Sequence, residues 1–162
     1  MNYKSKQHLT EAFTTLALSI GYVVFAFGNR APNISNLQAY GKAILIFICV
    51  TAFANIAIQI IFHFLFSASI AVKASQKHEE HLVERTVESF LRFDERDRHI
   101  NHRAGYIASF FMSIGFILSI VFLAFGGKPV IFLHILLAAF VLSLLAHSVM
   151  NVIVYGRDGS DE

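Results

Sequence analysis

Six polar residues recur at four-residue intervals inside otherwise apolar runs: Asn55, Gln59 and His63 in one, Ser143, His147 and Asn151 in another. Four residues carry a helix about 40° beyond a full turn, so each trio forms one slowly drifting stripe. Thr51 and Ser67 extend the first stripe at the same spacing. Such side chains either bond across to a neighbouring helix, at about 0.6 kcal/mol each, or line a hydrated seam for a proton, small cation or polar solute. His63 and His147 are the titratable members of that seam. The same two histidines can serve as an axial pair for haem between facing helices. Membrane cytochromes of the b type use more than one such pair, however, and His134, nearer the other end, has no mate.

Four further histidines stand in two His-x-x-His pairs, His78 with His81 and His99 with His102. Positions i and i+3 share a helix face, so each pair can offer two imidazoles to zinc or iron, with Glu79, Glu80 or Glu84 completing the shell. The pattern equally describes a solvated helix at a membrane surface. The clustered histidine boxes of membrane di-iron oxygenases are missing. So are a serine elbow, a glycine-rich phosphate loop and a cysteine nucleophile, since the single Cys49 lies in an apolar run and also excludes an internal disulfide. No enzyme is expected.

The elements that must position these residues follow from composition. The 162 residues are 56% apolar and 15% charged, with a mean hydropathy of +0.59, a balance that a water-soluble domain does not tolerate. Net charge is +2, which gives no general nucleic-acid footprint. A bilayer core about 30 Å thick needs roughly 17 to 25 helical residues, and stretches 12–28, 43–66, 104–125 and 130–155 supply them. The chain reads as a single membrane domain over 1–162, an all-α bundle of four transmembrane helices. Lys4 and Lys6 precede the first run as in a signal peptide, but the run is long for one and is expected to be retained. Lys and Arg number two before the first span, two in the first connection, seven in the second (71–103), one in the third and one in the tail. Ten therefore oppose three, which puts both termini and the second connection in the cytoplasm. Tyr40, Tyr106 and Tyr155 stand at span edges as interfacial anchors. Ser35 to Gln38 has capping-box spacing, and Gly126, Gly127 and Pro129 predict a tight turn into the fourth helix.

Thr15, Ser19 and Gly21 fall on Ser109, Ser113 and Gly115 at an offset of 94, and the second span maps on the fourth at an offset of 88. A duplicated helical hairpin is one reading, and the ordinary recurrence of serine and glycine in membrane helices is the other. Gly105, Ser109 and Ser113, with Ala17 and Gly21, make small-residue faces for close helix approach inside the bundle or between subunits, so a homo-oligomer is expected. The glycine- and proline-free run from Lys42 to Gly105 cannot continue as one helix and return, so a break is expected near Ser75. Beyond it an amphipathic cytoplasmic helix over 76–92 presents Val83, Val87, Phe90 and Leu91 on one face, for the inner membrane surface or a partner. Asp94 then caps the third helix. With seven basic and seven acidic residues, the second connection is expected to dock or sense for a cytoplasmic protein partner, through Asp94, Glu95, Arg96, Asp97 and Arg98. The alternative is a channel or transporter using the seam between helices 2 and 4.

The stretch Asp94 to Ile100, Asp-Glu-Arg-Asp-Arg-His-Ile, leads through Arg103-Ala-Gly-Tyr106 into the third span, and the fourth ends in Tyr155-Gly156-Arg157. In these residues the second half resembles a group of small prokaryotic four-helix integral membrane proteins of unknown function. The resemblance implies the topology only and carries no activity; the expected location is the prokaryotic inner membrane.

Overall fold

The computed structural model describes residues 3–28, 31–33, 36–75 and 95–157. Four helices make up the architecture: α1 (Tyr3–Phe27), α2 (Leu37–Ser75), α3 (Glu95–Ala124) and α4 (Pro129–Arg157). Each is long and apolar enough to cross a membrane. The expected helix over 76–92, with His78 and His81, lies outside the described residues, as does Asp94. All four helices extend beyond the purely apolar stretches. In α1 the good helix formers Lys, Gln, Leu and Glu carry the helix back to Tyr3, which brings Lys4, His8 and Glu11 onto it.

The helix ends follow their residues. Asn36 caps α2, its Oδ1 accepting the Ala39 N–H at 3.0 Å. The cap thus sits at Asn36, while Ser35 lies outside the described residues. At the end of α3 the Gly127 N–H donates to Phe122 O and the Gly126 N–H to Leu123 O, both at 3.0 Å. This is a Schellman closure, with Gly126 at φ +81°. A Cβ on Gly127 would run into the Phe122 ring and require that ring to move, whereas Gly126 is needed for its backbone conformation. Pro129 then opens α4, while the Lys128 carbonyl accepts from Ile131 and Phe132.

Helix α4 lies at the centre: it touches α1, α2 and α3, whereas α3 packs on α4 and α2 chiefly on α1. The order across the bundle is α3, α4, α1, α2. Buried positions on α4 are spaced by multiples of seven residues, in Val130, Leu137 and Asn151, with half-buried Leu144 between the last two, and again in Ser148 and Tyr155, the period of left-handed helix packing. Tyr22 and Ala26 of α1, Ile44 and Phe47 of α2 and Leu137 of α4 form the apolar core. Helices α3 and α4 approach most closely where Gly115 meets Ala139, with Ala104 and Ser119 on the same buried stripe. The ladder of Gly105, Ser109 and Ser113 lies off that stripe: Ser109 and Ser113 are exposed, and Gly105 has no heavy atom near its Cβ position. Within the monomer, packing therefore runs through Ala104, Gly115 and Ser119. The aligned positions Thr15 and Ser109 likewise differ, one buried and one exposed.

Candidate functional site

The two drifting stripes share one sense of rotation, but one leaves the bundle as it drifts and the other enters it. On α2, Thr51 is buried and Asn55 half-buried, while Gln59 and His63 are exposed. The rotation of about 40° per step carries His63 roughly 120° away from the face that Thr51 buries. Gln59 and His63 line a shallow open depression with Ile60 and Phe64 on the outside of α2. On α4 the same drift runs inward, from half-buried Ser143 and His147 to Asn151, which is 1% exposed. His147 and Asn151 consequently meet α1 and α3. The six seam residues do not converge on one space, and His63 and His147 do not face each other as an axial pair would.

What gathers instead is a polar network at the end of the bundle where α1 and α3 begin and α4 ends. Asp97, in the first turns of α3, pairs with the Lys4 ammonium of α1 and accepts a hydrogen bond from the Tyr155 hydroxyl of α4 at 2.9 Å. Lys4 also lies over the Tyr155 ring, 5.7 Å from its centroid, a cation–π contact. His8 stacks on the same ring: it is nearly parallel to Tyr155 at 5.9 Å and stands edge-on to His147 at 6.4 Å. Its Nδ1 bonds Glu11 Oε2 at 2.8 Å, and Gln7 Nε2 donates to the other carboxylate oxygen at 3.4 Å. Glu11 is 6% exposed, a carboxylate held inside the helix contacts by two local donors.

The partners of His147 assign its tautomer. Asn151 Nδ2 donates to Nδ1 at 3.4 Å, so Nε2 carries the hydrogen and donates to Asn101 Oδ1 at 3.0 Å. A second proton on this ring would require Asn151 to turn its amide over. The cluster is thus a joint between three helices, made by side chains of α1, α3 and α4. The hydroxyl of Ser5, fully buried on the same face of α1, has no hydrogen-bond partner.

At the opposite end His134 is enclosed by aromatic rings. Its Nδ1–H donates to Val130 O at 2.7 Å, and Nε2 accepts from the Tyr22 hydroxyl at 3.4 Å. Tyr40 stands edge-on to it at 5.1 Å and donates its hydroxyl proton to Pro32 O at 3.0 Å. Tyr40 and Tyr155 are therefore buried structural residues, and Tyr106 alone of the three expected anchors faces outward, 75% exposed. In mid-bundle the hydroxyls of Ser19, Thr51 and Ser119 bond carbonyls four residues back on their own helices, so the interhelical hydrogen bonds between described side chains lie at the two ends.

No family model, curated protein or solved structure matches the chain.

Among the expected docking residues, Asp97 is tied to the bundle and Arg98 is exposed, while Glu95 and Arg96 open α3. His99 and His102 are exposed on α3. Among the described residues no three His, Cys, Asp or Glu side chains converge as metal ligands. Lys4, His8, Glu11, Asn101 and Tyr155 are site residues of the structure that no sequence motif marks. The signal available is the spacing Lys4, His8, Glu11, Thr15, Tyr22, Ala26, an interval of three, four or seven throughout, which places charged residues on the same stripe as the core.

Proposed function

We propose that this is a non-enzymatic, multi-pass integral membrane protein of the prokaryotic inner membrane, with both termini and the connection between α2 and α3 in the cytoplasm. In this reading the charged connection engages a cytoplasmic protein partner, and the polar network is the joint through which the bundle holds that connection. The bilayer reading is supported by four apolar helices of which at most 22% of any span window is buried, and the orientation by the ten-to-three distribution of Lys and Arg. The observation that carries the docking reading is Asp97. Lying just after the connection, it is shared by Lys4 at the start of α1 and Tyr155 at the end of α4, so a force or binding event on the connection reaches three helices through one carboxylate. The test is photo-crosslinking in cells from single positions in 77–90, compared between the native chain and Asp97→Asn. A discrete crosslinked partner that weakens in Asp97→Asn is expected. No crosslink, together with a phenotype unaffected by deleting 77–90, refutes the docking reading.

A second reading, proton or small-cation passage, is favoured by the buried Glu11 carboxylate, bonded to His8, whose ring in turn stands edge-on to His147. Its polar path runs between α1 and α4 and meets the Tyr22, Phe47 and Leu137 core above. Proteoliposome flux with a pH-sensitive dye decides it: Glu11→Gln and His147→Leu should stop flux, and equal responses in native and variant protein refute passage.

A further inference from the structure

The charges at the start of α3 are sorted by the helix. Asp97 turns inward onto Lys4 and Tyr155, with Ile100 and Ala104 buried on the same side. Arg98, His99, His102 and Arg103 are all exposed. At 100° per residue these four spread over an arc of about 140°, with Tyr106 near its middle and Asp97 about 180° from Tyr106. Between Asp97 and Tyr106 the one acidic residue therefore faces inward and the outward face carries the basic ones. Among the described residues neither arginine has a carboxylate partner.

Depth follows from the same helix, and this step rests on the bilayer reading proposed above. Counting about 20 residues back from Ala124 for a hydrocarbon core about 30 Å thick brings its inner boundary near Gly105. Tyr106 then sits at the interface, as an amphipathic ring should. Arg103 to Arg98 lie roughly 3 to 11 Å further out, at 1.5 Å per residue, the level of lipid phosphates. Beneath them Phe110, Ile114 and Ile117 are exposed on the outer surface of the helix, where acyl chains run.

We propose that this face of α3 is a docking site for an anionic phospholipid, with Arg98 and Arg103 on the headgroup phosphate, Tyr106 against the glycerol region and the acyl chains along Phe110 and Ile117. Charge complementarity names the occupant: a zwitterionic headgroup brings a compensating cation against the two arginines, whereas an anionic one brings none. Arginine forks match phosphate oxygens bidentately.

The chain has no tryptophan, so Tyr106→Trp installs a single fluorophore at the site in the full-length protein. Vesicles of one fixed phosphatidylcholine and phosphatidylglycerol composition are prepared twice, with dibrominated acyl chains on one lipid or on the other. Quenching at position 106 is expected to report roughly a fivefold preference for phosphatidylglycerol over phosphatidylcholine. Adding Arg98→Gln and Arg103→Gln should bring the ratio to about one. A reporter at Ile153→Trp, exposed on α4 at the same end, should show no preference. Equal quenching by both labels at position 106, a preference that survives both glutamines, or the same preference at position 153 overturns the proposal, the last by showing diffuse attraction to the surface. Absence of quenching by either label at both reporters would instead overturn the bilayer reading.

Discussion

Gly115→Ala probes the contact that holds α3 to the rest of the bundle. A Cβ at position 115 falls 2.0 Å from the Ala139 Cβ and 3.3 Å from its Cα. Apolar carbons settle at about 3.5 to 4.0 Å, so the two helices must part locally by roughly 1.5 to 2 Å. Both positions are buried, and the obstacle is a methyl fixed to the backbone, which has no rotamer to escape into. Overpacking of this kind costs about 1 to 3 kcal/mol, and Gly115→Ala should lose that much despite the better helix propensity of alanine. Ala139→Gly alone removes one buried methyl and should cost about 1 kcal/mol or somewhat more. The exchanged pair, Gly115→Ala with Ala139→Gly, leaves only the 3.3 Å contact and should recover most of the stability lost by the first change. Helicity measured through an SDS titration of the micelle-bound protein gives all three values. The reasoning fails if Gly115→Ala is as stable as the native chain, or if the double variant shows the sum of the single losses.

Other consequences can be measured separately. The Lys4–Asp97 pair is partly exposed on the lysine side and largely buried on the aspartate side, so a double-mutant cycle with Lys4→Met and Asp97→Asn should give a coupling of about 1 kcal/mol; zero coupling would mean that the pair does not join α1 to α3. Tyr22→Phe gives up only the long hydrogen bond to His134 and should lose under about 1 kcal/mol, whereas Tyr22→Ala empties the core beside Phe47 and should lose about 3 kcal/mol or more in a thermal melt. In a Cys49→Ala background, a membrane-impermeant thiol probe added outside intact cells should label Asn33→Cys and not Ser160→Cys, and the reverse pattern would invert the orientation.

The four helices are legible in the sequence because an apolar run of 17 residues or more is a strong signal on its own, and the turn at Gly126 and Gly127 is legible because Gly126 is needed for its backbone conformation. Which face of each helix turns inward is written more faintly. Membrane helices are apolar all round, so the contrast that orients a soluble helix is weak here, and small residues such as Ser109 and Ser113 look alike on either side. The drift of the Thr51 to His63 stripe is calculable from the helical repeat, yet its direction relative to α4 depends on which helix occupies the centre. The network at Asp97 was hidden for a different reason. Lys4, His8 and Glu11 precede the apolar run and resemble a solvated flank, and only the continuation of α1 back to Tyr3 shows that they share a face with Tyr22 and Ala26.

The central position of α4 has a consequence for how the molecule is made. Because α4 follows α1, α2 and α3 in the chain, α1 and α3 are synthesised before the helix against which each packs most. Asp97 then lacks Tyr155, and His8 lacks both Tyr155 and His147, until α4 is made. The Lys4–Asp97 pair and the contacts of Glu11 with Gln7 and His8 lie wholly within the earlier helices and can form first. Making α4 therefore closes a joint that its predecessors have already begun.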